Sequence, residues 1–287
     1  MQPILYTMIC GLDSLILKNL TESGKNPVPR ENVIDYFGRK VYNICERKEG
    51  HEMKKCSIKA PFFEIGPKSY LYGDDILKLA QAADAASEKY KVDIIFTCPL
   101  VELRRVAENT KYIHVFAPHM DPLTPGRGLA DVLPESLVAA GAEGVMLNHC
   151  EKPVSIATLK ATIKRAEEVG LTTIVCADSI AEASAIAHLS PDIIVAEPTE
   201  LIGTGKASDA EYVEASTRCV KDVNPEIAVL QGAGIKCYDD VYRNIFAGAD
   251  ATGSSSGIVG LPTHEARAQM IDDMIRAVRE AYDARQK

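Results

Sequence analysis

One carboxylate, Glu197, closes the run Asp192-Ile-Ile-Val-Ala196 and is followed by Pro198 and then by Gly203-Thr204-Gly205. The β-branched run reads as a buried strand. The stretch Pro198 to Lys206 reads as a loop with stiff ends, able to close over a ligand. Ser208-Asp209 then opens a helix. A carboxylate at a strand end beneath a hinged loop suits the removal of a proton from a carbon beside a carbonyl. That chemistry needs a group to polarise the carbonyl, a positive charge and an anchor for the rest of the substrate. His149, in Leu147-Asn-His-Cys-Glu151, can polarise an oxygen, and an adjacent helix start should lower its pKa and favour the neutral imidazole. Lys68, in Gly66-Pro-Lys68, can aim an ammonium at the same place. Gly232-Ala-Gly234 and Gly253-Ser-Ser-Ser-Gly257 let backbone N–H groups approach an anion such as phosphate. Each feature alone has a plainer reading. A lone Lys is usually solvated, a lone His usually structural, and glycine runs make ordinary turns.

What joins them is the pattern of elements. From Ala60 onward a short apolar run, a loop bearing Gly, Pro or Asn, and a helical pattern recur. The strands are expected at Phe62–Gly66, Asp93–Thr97, Ile113–Ala117, Gly144–Leu147, Thr172–Cys176, Ile193–Ala196, Ile227–Leu230 and Ala249–Gly253. Helices should begin near Asp74, Val101, Leu133, Ser155, Ser179, Ser208, Tyr238 and Thr263. Strands this short and apolar, each followed by a helix, predict a parallel sheet buried on both faces. Eight such units close a (β/α)8 barrel, which carries its site on the loops after the strands. Lys68, His149 and Glu197 then fall on loops one, four and six, with the glycine-rich loops last, around one mouth. The chemistry that fits is proton abstraction next to a carbonyl on a phosphorylated small molecule. An open doubly wound sheet is the alternative, weakened by the lack of Gly-x-Gly-x-x-Gly after the first strand.

Residues 1–57 differ from this pattern and predict a short helical N-terminal extension, partly disordered, ahead of a barrel domain at 58–287. The extension carries no chemistry and reads as a packing or oligomerisation element. The net charge of −8 and the absence of a basic run argue against nucleic acid. No run is long and apolar enough to span a bilayer, and no signal peptide is expected, because Asp13 interrupts the mildly apolar opening. The eight cysteines form no Cys-x-x-Cys pair and several sit in apolar runs, which predicts reduced thiols and a cytoplasmic location. No ligand cluster is evident in the spacing, so no metal and no cofactor are expected.

Four stretches are similar to those of the triosephosphate isomerase family, in its archaeal-type, shorter-barrel branch. They are Phe116-Ala-Pro-His-Met-Asp-Pro122, Leu147-Asn-His-Cys-Glu-Lys-Pro153, Glu197-Pro-Thr-Glu-Leu-Ile-Gly-Thr-Gly205 and Gly232-Ala-Gly-Ile235. The resemblance runs from Pro61 to the C-terminus. It implies the TIM barrel and the interconversion of dihydroxyacetone phosphate and glyceraldehyde 3-phosphate, an activity of glycolysis and gluconeogenesis. By resemblance, Glu197 moves the proton between adjacent carbons and neutral His149 acts as electrophile on the oxygens. Lys68 supplies positive charge, and Glu151 stands where the family keeps a supporting carboxylate. Gly66 and Lys68 border the reacting end, and Ile202, Gly203, Gly234, Ser255 and Ser256 hold the phosphate. Pro198 to Lys206 is the lid. The resemblance also implies a homodimer or homotetramer built through loop three.

This chain departs from the family at the reacting end. The family has Asn two residues before the Lys, where this chain has Gly66, with Pro67 beside it, Pro118 in loop three and Cys150 after the His. Losing one hydrogen bond at the reacting oxygens costs on the order of 10²-fold in rate unless something replaces it. Gly66 also makes room. A related isomerase acting on another small sugar phosphate, such as a tetrulose phosphate, therefore stays open, as does a non-catalytic sugar-phosphate-binding barrel. Gly66→Asn separates the readings, because a gain on triose phosphates would say that the site had drifted.

Overall fold

The computed structural model describes residues 55–198, 210–232 and 234–287. Eight short parallel strands close into a barrel in sequence order. They are β1 Phe62–Ile65, β2 Ile94–Thr97, β3 His114–Ala117, β4 Gly144–Leu147, β5 Thr172–Ala177, β6 Ile193–Ala196, β7 Ala228–Gln231 and β8 Ala251–Ser254. Each pairs with the next, and β8 closes on β1 with Phe63 beside Thr252. The helices among the described residues are α1 Asp74–Tyr90, α2 Leu103–Glu108, α3 Pro134–Ala139, α4 Ile156–Val169, α5 Ile180–Ala187, α6 Ala210–Lys221, α7 Tyr238–Phe246, α8 Ser256–Val259 and α9 His264–Arg285. The expected (β/α)8 barrel is therefore the fold, and the doubly wound sheet is not.

Strand alternation sorts side chains into two layers. Phe62, Ile95, Phe116, Met146, Ile174, Ile193, Val195 and Leu230 pack together inside the barrel. Their neighbours Phe63, Phe96, Val115, Val145, Val175, Ile194 and Val229 pack outward under the helices. Two residues after Phe62 and Ile95, the same period aims Glu64 and Thr97 inward at the upper, C-terminal end of the strands. The sequence treats Phe62–Gly66 as one apolar run and misses this carboxyl.

The expected helix starts at Ser155, Ser179 and Thr263 are caps instead. Their hydroxyls accept the backbone N–H groups of Thr158, Glu182 and Ala266, so each helix proper begins one residue later. The strand β7 lies one residue beyond its expected span, and the short helix α8 was not expected. The long α9 packs against α1 and α7, burying Ile271, Met274, Ile275, Val278 and Ala281, and completes the outer ring. No helix among the described residues is long and apolar enough to cross a membrane.

Of the expected N-terminal extension, residues 1–54 lie outside the described residues. Lys55 bonds both carboxylate oxygens of Asp192 at 2.9 Å, and Cys56 and Ile58 pack against the barrel interior from its N-terminal end. There the fold gathers Cys56, His114 and Glu143, whose ligand-type atoms lie within 4.8 Å of one another, a cluster that sequence spacing does not reveal.

Candidate active site

The C-terminal ends of the strands surround a cavity of about 530 Å³. Lys68, His149 and Glu197, predicted on three separate loops, all line it, as do Gly66, Glu151, Gly234, Ser255 and Ser256. Ile202, Gly203 and the lid after Pro198 lie outside the described residues.

Glu197 follows β6 directly, and its backbone N–H donates to Ala177 O at 3.1 Å, continuing the ladder to β5. The side chain is half-buried and lies over Gly232. A Cβ at position 232 would stand 2.9 Å from Glu197 Cβ and 3.0 Å from its carboxyl carbon. Gly232 is thus required for close approach as well as for any anion it helps to hold. Gln231, fully buried, ties this strand end to α6 through Ser216 Oγ at 3.1 Å and Thr217 Oγ1 at 3.0 Å.

His149 sits on a loop pinned by Asn148, whose φ of 57° lies in the left-handed region that Asn tolerates. The Asn148 amide donates to Cys176 O at 3.0 Å and Glu182 Oε1 at 3.1 Å, and its oxygen accepts Val154 N at 3.1 Å. The backbone N–H of Glu151 donates to His149 Nδ1 at 3.1 Å. An imidazole that accepts at Nδ1 carries its proton on Nε2, as the hydrogen-bond pattern assigns it. Burial lowers the His149 pKa first and the charge of Lys68 lowers it further, against Glu151. The sequence expected the same direction from a helix start, but α4 begins only at Ile156. The outcome is a neutral imidazole with an N–H to offer.

Lys68 has a φ of 50°, a conformation that costs a residue with a Cβ roughly 1–2 kcal/mol. Its ammonium bonds Glu151 Oε1 at 2.9 Å. Burial works against the ammonium, but the hydrogen bond and charge of Glu151, with Glu197 behind, more than offset it and raise its pKa. Glu151 is lowered in turn, chiefly by that bond. The ion pair fixes where Lys68 points, because Glu151 is itself well exposed and such pairs contribute little to stability.

Loops seven and eight are joined at the cavity by a hydrogen bond. Ser254 Oγ donates to Ile235 O at 2.8 Å, and a Cβ on Gly257 would stand 2.6 Å from that same oxygen. Ser255, the residue before α8, buries a hydroxyl with no hydrogen-bond partner among the described residues. A buried unpaired hydroxyl is costly unless a ligand satisfies it.

Gly66 does not leave an empty space. A Cβ there would stand 3.0 Å from Glu64 Oε1, so the Glu64 carboxyl occupies the room. The room expected beside Gly66 is therefore taken up by the Glu64 carboxyl, which a side chain at 66 would have to shift. Counting strand period from Phe62 would have revealed Glu64 as an inward residue at the mouth.

A model of the family described as triosephosphate isomerase matches residues 67–278. The triosephosphate isomerase of Methanocaldococcus jannaschii is 36% identical over 207 residues, covering 71% of this chain and 91% of that protein. That of Methanothermus fervidus is 38% identical, covering 65% and 85%. That of Sulfurisphaera tokodaii is 33% identical, covering 79% and 99%. With the barrel, the matched residues 67–278 and identities of this size over most of each relative, the chain belongs to the triosephosphate isomerase family.

Proposed function

We propose that this chain interconverts dihydroxyacetone phosphate and glyceraldehyde 3-phosphate. The carrying observation is that Glu197, neutral His149 and Lys68 line one cavity together with Gly234, Ser255 and Ser256. Glu197 takes a proton from the hydroxyl-bearing carbon next to the carbonyl. That C–H bond breaks, a C=C bond forms, and the carbonyl electrons move to oxygen, giving an enediolate. His149 Nε2–H donates to that oxygen and Lys68 compensates its charge, both stronger as negative charge develops. The hydroxyl proton passes from the first oxygen to the second through His149 Nε2, and returning the abstracted proton to the neighbouring carbon leaves a C=O on the first carbon and a hydroxyl on the second, with no net redox change. Loops seven and eight hold the phosphate, and the Ser255 hydroxyl, unpaired among the described residues, gains a partner. By the family resemblance Ile202 and Gly203 also serve the phosphate; both lie outside the described residues.

Steady-state assays on both triose phosphates and on four- and five-carbon ketose phosphates test this. The expected kcat/KM on a triose phosphate lies within roughly 10⁴–10⁸ M⁻¹s⁻¹. A value a thousandfold below that range, with a higher one on a tetrulose phosphate, would move the substrate to the longer sugar. Binding without turnover of any of them would leave a non-catalytic barrel.

We infer in addition a homo-oligomer joined through loop three, Pro118 to Leu133. Its base is fixed by Asp121, which exchanges bonds with Val132, while Leu129 at its tip is 98% exposed. The unpaired thiols of Cys56, Cys98, Cys150, Cys176, Cys219 and Cys237 support a cytoplasmic, reducing location.

A further inference from the structure

The cavity holds a carboxyl that none of these roles uses. Glu64 faces inward from β1 and is 9% exposed. Its Oε1 accepts the Thr97 hydroxyl at 2.5 Å, and among the described residues nothing donates to Oε2. Two glycines border it. A Cβ on Gly66 would stand 3.0 Å from Oε1, and one on Gly253 would stand 3.1 Å from Oε2 and 2.9 Å from the Glu64 backbone oxygen. The carboxyl thus fills space that side chains at 66 and 253 would need.

Its surroundings favour the neutral acid. Burial pushes the Glu64 pKa up to about 7, the Thr97 hydrogen bond opposes, Glu197 raises it and Lys68 lowers it. A bound phosphate dianion adds negative charge to the same cavity and favours the neutral form further. With Oε1 accepting from Thr97, the proton belongs on Oε2, the oxygen left to the cavity. A carboxylic acid there is a hydrogen-bond donor, and its Oε2 lies 3.6 Å from where a Cβ at position 66 would stand, and 3.1 Å from one at position 253.

We propose that Glu64 contacts the substrate as a neutral acid, its Oε2–H donating to the oxygen at the reacting end of the sugar phosphate in place of the amide missing at position 66. The proposal rests on the isomerase reading above and adds to it a specific donor. As the carbonyl becomes an enediolate the bond strengthens, so Glu64 acts on kcat more than on KM. The space has one occupant, carboxyl or amide, which makes residues 64 and 66 a coupled pair.

The test compares wild type with Glu64→Gln, Glu64→Leu, Gly66→Asn and the double variant Glu64→Ala/Gly66→Asn, using dihydroxyacetone phosphate between pH 6 and 9. Wild-type kcat/KM should fall as pH rises past about 7, and kcat at a higher pH, as the donor proton leaves. Glu64→Gln keeps a donor at every pH, so it should stay within about tenfold of wild type at pH 6 and lose that fall. Glu64→Leu should lose on the order of 10²–10³ in kcat with KM changed only a fewfold. Gly66→Asn alone should be poorly active, and adding Glu64→Ala should restore at least about tenfold of the loss. A side chain that served only packing would not move the pH limb.

A readout independent of turnover is the infrared C=O stretch of the protonated Glu64 carboxyl, absent in Glu64→Gln. It should shift when dihydroxyacetone phosphate is added. A shift without turnover would remove the isomerase reading and keep the contact. Turnover with no band shift, and with the same pH profile in Glu64→Gln as in wild type, would overturn the role of Glu64 and leave the isomerase reading intact.

Discussion

Glu197 lies where a side chain at position 232 would be, so the position of the base depends on a residue that has none. Gly232→Ala places a methyl 2.9 Å from Glu197 Cβ and must push the carboxylate aside. A displacement of about 1 Å at a proton-transfer site costs on the order of 10²-fold in rate. The expected result is a kcat lower by roughly that factor with a nearly unchanged urea midpoint, read by steady-state kinetics and by denaturation. A kcat within twofold of wild type would show that the carboxylate tolerates the shift. The types and spacing of Lys68, His149 and Glu197 were legible because each lies within three residues of a strand's end. Glu64 was not, because a single carboxylate within Phe62–Gly66 reads as part of an apolar strand until its period is counted against Phe62. Thr97 was hidden for the same reason, and Gly232 was read as an anion cradle when its tightest contact is to the base.

The loops are held by polar side chains that hydrophobic pattern does not distinguish. Asn148 spans β4, β5, α5 and its own loop with three hydrogen bonds and a left-handed backbone. Asn148→Ala removes all three and puts Ala in a conformation it disfavours. The expected cost is about 2–4 kcal/mol of stability, measured by urea unfolding, with a matching loss of kcat as His149 loosens. Unchanged stability would mean that the loop is held elsewhere. At the opposite end of the barrel, burial works against the His114 imidazolium, but hydrogen bonds with Cys56 and Glu143 more than offset it and push its pKa up to about 10. The contribution of this raised histidine is fully present below the ordinary imidazole range of about 6.5 and is lost as pH rises through about 10. Unfolding midpoints taken from pH 6 to 10 should fall in wild type and fall less in His114→Gln. Equal slopes would show that the ion pair does not contribute. Element existence was legible from the alternation of apolar runs and breakers. Boundaries missed by a residue where a Ser or Thr caps a helix, and α8 escaped notice because its four residues carry no apolar period.

At the scale of the whole molecule, strand order, closure and the placing of the site at one end follow from eight repeats of strand and helix. The exposed tip of loop three bears on assembly. Leu129 is 98% exposed, and the proposed assembly through loop three would cover it. Leu129→Glu should lower the mass measured by light scattering toward that of a monomer, whereas an unchanged mass would move the interface away from this loop. The central claim is that one carboxylate carries a proton between adjacent carbons. Its most direct measurement follows the conversion of dihydroxyacetone phosphate by proton NMR in D₂O, for wild type and for Glu197→Gln. Wild type should yield glyceraldehyde 3-phosphate with solvent deuterium at C2, and Glu197→Gln should slow formation of product by at least roughly 10²–10⁴-fold. Product formed at an undiminished rate by Glu197→Gln, or no isomerisation by wild type, would contradict it.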